Sequence, residues 1–255
     1  MSITLEVEHL CKTYRKQEVL HGKKEESSVK ALNDVSFNLS PGFYGLLGPN
    51  GSGKSSLMNI IVGNLLPDSG NILWNGEPVQ EMGIRFRRIL GYVPQQQTLY
   101  RSYSGRRFLQ YMAVLKEIPA DRTESEITRA ARIVNLSEEL DKKLSAYSGG
   151  MKQRLLTASA LLGTPKLLIM DEPMAGLDPK ERVHLRDTLS ALSKDCIILM
   201  ATHVVSDIEK AAKEIMILKK GVLVDKGTPS ELENKYAPGE GLESVYMSVF
   251  EEENR

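Results

Sequence analysis

The sequence is short of cysteine, of net charge and of long hydrophobic runs, and each shortage removes a class of protein. Its 255 residues include only two cysteines, Cys11 and Cys196. Two thiols make no disulfide framework, so a small secreted scaffold held by cross-links is excluded. Both read as structural thiols, and Cys196 opens an apolar run as a small core residue would. Lys plus Arg and Asp plus Glu stand at 33 each. That balance gives no support for bulk attraction to nucleic acid or anionic lipid, and no nucleic-acid partner is expected. No segment approaches the roughly 18 apolar residues of a membrane span. The longest runs, at 196–201 and 167–170, have the length of buried strands. Residues 1–10 contain Glu6, Glu8 and His9 and no apolar stretch, so they do not read as a signal peptide. These features point to the cytosol or to a cytosolic face.

What is present suits a core of moderate size, with 41% apolar and 26% charged residues. Strand character marks residues 3–8, 35–39, 43–47, 71–74, 89–93, 167–170, 197–201, 214–218 and 222–224. Several of these are continuously apolar, as strands covered on both faces must be. Helical patterns mark 54–63, 107–116, 125–134, 149–162, 179–192 and 206–212. Alternation of the two predicts an α/β sheet. The alternation stops from about 96 to 165, where only amphipathic helical patterns occur. Phe108, Leu109, Met112 and Leu115 share one helix side, as do Ile127, Ala131 and Val134. This stretch reads as a helical lobe inserted into the α/β core. Residues 21–28 are polar and mixed in charge and read as a solvated loop. The tail holds a Pro-Gly break and a short apolar stretch at 242–250, and its last five residues read as frayed.

The segment Gly48-Pro49-Asn50-Gly51-Ser52-Gly53-Lys54-Ser55 fits a phosphate-binding loop. Glycines let the backbone curl until several N–H groups converge on an anion. A helix starting near Lys54 adds its positive end. Lys54 supplies a mobile charge for the β- and γ-phosphates of a nucleotide, and the Ser55 hydroxyl is a hard-oxygen ligand for Mg²⁺. The context is the required one, a strand before and a helix after.

A second feature is the apolar run Leu167-Leu168-Ile169-Met170 ending in Asp171-Glu172-Pro173. In open parallel sheets ligands sit beyond the carboxyl ends of the strands, so Asp171 should emerge beside the phosphate loop and hold Mg²⁺ directly or through water. Glu172 would project differently and could polarise a water attacking the γ-phosphate. The competing reading is a solvated acidic turn that caps a helix.

Further motifs follow in one order. Tyr14 lies well before the loop, Gln95 follows Tyr92-Val93-Pro94, and Ser148-Gly149-Gly150 precedes Met151-Lys152-Gln153-Arg154. Ala175-Gly176-Leu177-Asp178 follows the acidic pair, and Thr202-His203 ends the next strand. In this register the chain resembles the ABC ATPase family over nearly its whole length. The resemblance implies an α/β fold: a P-loop ATPase core with a mainly parallel sheet, an antiparallel N-terminal β subdomain and an inserted α-helical subdomain. It implies one domain over 1–255, with the core at 1–95 and 166–228, the helical insert at 96–165 and a short C-terminal extension at 229–255.

The resemblance also assigns roles. ATP and Mg²⁺ are the implied cofactors. Tyr14 would stack on adenine, and Ser56 would join the loop in holding phosphate. Gln95 would reach Mg²⁺ and the attacking water. Ser148, Gly149 and Gly150, at a helix N-terminus, would meet the γ-phosphate held by an opposing cassette. Asp178 would help to align the two halves, and His203 would contact the γ-phosphate and steady Glu172. The implied partners are a second ATPase cassette, as homodimer or paralogue, and polytopic membrane permease subunits. That would place the chain peripherally on the cytoplasmic side of a membrane. The motif SGGMKQR and the tail pattern Leu242-Glu243-Ser244-Val245-Tyr246 resemble cassettes of ABC-2 type exporters. The alternatives are a soluble ABC ATPase such as a cluster-assembly ATPase, and a nucleotide-binding regulator without turnover. Two departures stand out. Met151 replaces the usual Gln, and the stretch from Tyr14 to Ala31 is about ten residues longer than usual. The extra piece falls at 21–28, either as a longer surface hairpin or as a contact for a partner.

Overall fold

The continuous apolar runs are strands covered on both faces, and they form the centre of a layered α/β fold. The computed structural model describes residues 3–20, 23–95 and 99–251. The chain opens with β1 (Leu5–Leu20), β2 (Lys23–Leu39), β3 (Gly42–Leu47) and α1 (Lys54–Ile61). It continues through β4 (Ser69–Trp74), β5 (Glu77–Pro78), α2 (Val79–Met82), α3 (Ile84–Ile89) and β6 (Leu90–Val93). Three helices follow, α4 (Gly105–Leu115), α5 (Ala120–Ile133) and α6 (Gly149–Leu161). Then come β7 (Leu167–Asp171), α7 (Pro179–Leu192), β8 (Ile197–Thr202), β9 (Glu214–Lys219), β10 (Val222–Gly227), α8 (Pro229–Tyr236) and α9 (Leu242–Glu251).

Two sheets result. One is antiparallel, in the order β2-β1-β4-β5. The other runs β10-β9-β3-β8-β7-β6, with only β10 antiparallel to its neighbour. Alternate residues of its central strands enter two different cores. Phe43, Leu47, Ile198 and Met200 pack toward α4, α5 and α6, beside Phe108, Leu109, Ile127 and Leu155. Tyr44, Leu46, Ile197 and Leu199 pack on the other side, with α1 and the antiparallel sheet through Leu5, Leu10, Val35 and Leu57. Both faces are dry, which is why these strands lack the in–out alternation of a half-exposed sheet.

Cations close two helix ends in the helical layer. The Lys116 ammonium donates to the carbonyls of Ala160 (2.9 Å) and Leu162 (2.8 Å), and Arg129 donates to Leu161 (2.7 Å). These are the orphan carbonyls at the end of α6, and positive charge there also complements the helix dipole. At the end of α5, Arg154 donates to the carbonyl of Asn135 (2.6 Å), and a ring nitrogen of His184 lies 2.8 Å from that of Ile133.

Several expectations need correction. The helix expected at 206–212 is only a short 3-10 turn, Val205–Asp207. The chain must reach Lys213, whose N–H donates to Phe43 at 2.7 Å, and that tether leaves no room for a longer helix. Of the readings for 21–28, the solvated loop fails and the longer surface hairpin holds: the chain is strand from Lys23 onward, with Arg15 opposite Ser28 and Leu20 opposite Lys23. His21 and Gly22 lie outside the described residues. A two-stranded ribbon of this kind needs no apolar face, so hydrophobic patterning does not reveal it. The tail is two helices rather than one apolar stretch. Thr228 and Glu231 cap α8 reciprocally, with Pro229 at its first position, a signal present in the sequence. The helix expected at 125–134 starts earlier, at Ala120, just after Pro119. Between β5 and β6 the chain forms α2 and α3, separated by Gly83 at φ 57°, and both are too short for their periodicity to show.

Candidate functional site

The carboxyl ends of four neighbouring strands set the site. Leu47 of β3 lies opposite Thr202 of β8, Asp171 of β7 opposite Ala201, and Val93 of β6 opposite Met170. The residues that follow these ends are Gly48, His203, Glu172 and, two further on, Gln95. The rule for open parallel sheets thus gathers four separate motifs on one edge.

Backbone geometry shapes the phosphate loop. Gly51 and Gly53 adopt φ of 83° and 108°, a region costly for other residues. At Gly53 a Cβ would also stand 2.4 Å from the Ala31 carbonyl, so glycine is required twice over. The loop is tied from outside: Gly221 N–H donates to the Ser52 carbonyl (2.9 Å), and Asn33 N–H donates to the Gly221 carbonyl (2.8 Å). The Ser52 hydroxyl is buried and has no hydrogen-bond partner among the described residues. The Lys54 ammonium turns back and donates to the carbonyls of Gly48 (2.6 Å) and Pro49 (3.1 Å). Burial lowers its affinity for the proton, while Glu172 and Asp171 act against that shift.

The Ser55 hydroxyl donates to Asp171 Oδ2 at 2.8 Å. Burial pushes the Asp171 carboxyl above its ordinary range, partly offset by that hydrogen bond. Two hard oxygens therefore meet at the mouth of the loop, and Gln95 lines the same cleft. That donor set fits Mg²⁺, which takes one or two protein oxygens and completes its shell with water and phosphate. No cluster of three or more His, Cys, Asp or Glu among the described residues offers an all-protein metal cage.

Glu172 is buried and has a left-handed backbone, φ 51°. Its N–H donates to the Ala201 carbonyl at 2.9 Å, which anchors the strained residue to β8. Its carboxylate is held by β8 and the residue beyond it. Oε1 accepts the His203 N–H at 3.1 Å and lies 2.7 Å from His203 Nδ1. Oε2 accepts the Thr202 hydroxyl at 3.2 Å. The solvated-cap reading of the acidic pair fails, since both acids are buried, Asp171 meeting Ser55 and Glu172 meeting His203 and Thr202.

A cleft of about 540 Å³ brings together Tyr14, Asn50, Gly51, Gly53, Lys54, Ser55, Ser56, Gln95, Asp171 and Glu172. Tyr14 stands at its rim with its hydroxyl 3.2 Å from the Ser56 hydroxyl. A neighbouring cleft of about 630 Å³ shares Ser55, Gln95 and Asp171 and runs toward Lys116 and Arg87. Ser148, Gly149, Gly150 and Asp178 do not line the cleft that holds Lys54 and Ser55. Ser148 is exposed and caps α6 by accepting the Met151 N–H (3.2 Å), and Asp178 caps α7 through the Glu181 N–H (2.9 Å). Sequence reasoning did not place Val29 and Ala31, which also line the cleft. Val29 carries no motif, but it faces Tyr14 across the hairpin, so strand pairing was the signal that could have found it.

With this geometry in hand, similarity to known proteins is informative. A family model described as ABC transporter matches residues 32–175. ABC transporter A family member 1 of Dictyostelium discoideum is 36% identical over 226 residues, 88% of this chain and 26% of that protein. Nod factor export ATP-binding protein I of Paraburkholderia xenovorans is 33% identical over 212 residues, 82% of this chain and 70% of that protein. The chain thus spans about a quarter of the first relative's length and most of the second's. A solved structure of the ATP binding subunit of an ABC transporter superposes with a TM-score of 0.82 at 27% identity, covering 96% of this chain and 98% of that one.

Proposed function

This chain belongs to the ABC transporter family, and from that premise we propose that it is an ATP-binding, ATP-hydrolysing cassette that energises transport through separate membrane-spanning subunits. The observation that carries the catalytic part is the pairing of two adjacent acids with two different partners. Asp171 meets the phosphate loop through Ser55 at 2.8 Å, while Glu172 turns to His203 at 2.7 Å. One acid is thereby placed for a metal and the next for a water.

In this reading the loop amides and Lys54 hold the triphosphate, and Tyr14 stacks on the base. Ser55, Asp171 and Gln95 would hold Mg²⁺. When bound, the ion neutralises charge on the phosphate oxygens. Glu172 accepts the proton of the attacking water, and His203 keeps the Glu172 carboxylate in place. Phosphoryl transfer to water needs little covalent help, so positioning and charge carry most of the rate. Ser148 and Gly149, exposed on the end of α6, and half-buried Gly150, all away from the cleft, serve the nucleotide of a second cassette, with Asp178 at the junction. ATP shared between two cassettes favours the closed pair, and hydrolysis releases it.

No helix among the described residues is long and apolar enough to cross a membrane. In this reading the pathway belongs to polytopic partners. We place the chain peripherally on the cytoplasmic side, in an exporter of the ABC-2 type, a reading supported by the export function in the name of the Paraburkholderia relative. Purification in detergent tests it. A stable complex with a multi-span protein is expected, and a wholly soluble assembly would overturn the transport reading while leaving the ATPase reading intact.

A further inference from the structure

We propose that Thr202 is a positioning residue for Glu172, fixing the roll of its carboxylate so that Oε2 is the oxygen that takes the proton from water. This rests on the reading of Glu172 as the base.

The hydrogen-bond count around the carboxylate makes the case. A carboxylate oxygen offers two good lone-pair sites. At Oε1 both are occupied, by the His203 backbone N–H (3.1 Å) and by His203 Nδ1 (2.7 Å), which carries a proton because its partner only accepts. At Oε2 a single donor is present among the described residues, the Thr202 hydroxyl at 3.2 Å. One site on Oε2 therefore stays open, and it is the one able to receive a proton.

The direction of the Thr202 hydroxyl is itself fixed. Thr202 is 1% exposed, so water does not compete for it. Its oxygen accepts the Val204 N–H at 3.0 Å, a local turn that occupies the lone-pair side. The single hydroxyl proton is left for Glu172 Oε2. Thr202 is also β-branched and ends the buried strand β8, so its χ1 has little freedom. The terminal torsion of a glutamate, by contrast, is soft and nearly two-fold. Without the hydroxyl, the carboxylate could roll about Oε1 and tilt Oε2 away from the water. The step balances: the water oxygen bonds to the γ-phosphorus, the water O–H bond breaks as its proton moves to Oε2, and the bond from the γ-phosphorus to the β–γ bridging oxygen breaks, ADP leaving with that electron pair.

The test is steady-state ATP hydrolysis by the full-length chain with Mg²⁺, for Thr202→Val, Thr202→Ala, Thr202→Ser, Glu172→Gln and the Thr202→Val/Glu172→Gln pair. The expected result is a loss of tenfold or more in kcat for Thr202→Val, with KM for ATP within twofold. Thr202→Ser should stay within threefold of the parent, because it keeps the donor. In the Glu172→Gln background, Thr202→Val should cost nothing further, since no base remains to position. Wild-type kcat in Thr202→Val, equal impairment by Ser and Val, or full additivity in the double variant would each overturn the proposal. If thermal melting shows Thr202→Val unfolded, Thr202→Ala against Thr202→Ser decides by the same criteria. Wild-type turnover in Glu172→Gln alone would instead remove the base assignment itself.

Discussion

His203 holds Glu172 twice through one oxygen: its backbone N–H donates to Oε1 at 3.1 Å, and its ring Nδ1 lies 2.7 Å from the same atom. The residue after a buried strand thus clamps the residue after the neighbouring strand. In the proposed reading Glu172 is the base, and Glu172→Gln keeps the shape while removing it. ATP hydrolysis should fall by roughly 10²–10⁴, while ATP binding persists and a closed pair of cassettes accumulates. Turnover and size-exclusion chromatography with ATP check both halves. His203→Ala should lower kcat by roughly tenfold or more and leave ATP affinity nearly unchanged, because in this structure the ring touches the base and does not line the cleft.

Lys54 donates to two carbonyls of its own loop, Gly48 and Pro49. A nucleotide must draw the ammonium away from them, and the phosphates repay that exchange with a stronger charge-assisted contact. Lys54→Ala should therefore weaken ATP binding by at least about tenfold, or about 1.4 kcal/mol. Titration with a fluorescent ATP analogue measures it. Gly53→Ala should be worse, because the added Cβ has no room beside the Ala31 carbonyl.

Tyr14 presents its ring at the cleft rim and shares a hydroxyl contact with Ser56. Stacking needs the ring, so Tyr14→Phe should bind ATP much as the parent does. Tyr14→Ala should lose about 1 kcal/mol, several-fold in affinity. A ring face reads no base edge, so GTP should compete with ATP nearly as well in both the parent and Tyr14→Phe. Competition binding with the two nucleotides checks this.

Burial pushes the Lys116 ammonium down to about 8, with the Arg129 charge adding to the shift and Glu126 opposing it. The unfolded chain holds that proton more tightly, near the ordinary value of about 10.4. Between those values the unfolded state binds more protons than the folded one, so stability rises with pH. Lys116→Met removes this contribution. The stability difference, parent minus variant, should grow by on the order of 2 kcal/mol from pH 8 to pH 10. Urea unfolding at both pH values measures it. Tyr147 and Cys196, both pushed up to about 12, are common to the two proteins and cancel in the difference.

Much of the site could be read from the sequence because its residues sit where short motifs meet strand ends. Asp171 and Glu172 close an apolar run, and Lys54 opens a helix after one, so a parallel sheet brings them together with no further information. Patterning failed where structure is set by pairing or by tethers. Residues 23–28 are all polar, and their pairing with β1 rather than any apolar pattern of their own makes them a strand. The segment after His203 looks amphipathic, yet the Lys213 to Phe43 hydrogen bond ends it after one short turn. Lys116 and Arg129 give no periodic signal either, since what they do is meet the carbonyls of a third helix. The role of Thr202 was hidden for the same reason, because a hydroxyl has meaning only beside the group it faces.

The ties on the phosphate loop carry a further consequence. Ser52, Gly221 and Asn33 form a relay of two backbone hydrogen bonds that joins the loop to the β9–β10 turn and to β2. Free energy gained when the loop closes on a ligand is shared with those segments, and the sharing works in both directions. Amide hydrogens at Asn33 and Gly221, remote from the phosphates in sequence, should exchange with solvent more slowly once nucleotide is bound. A substitution that loosens the β9–β10 turn should in turn lower nucleotide affinity without touching the cleft.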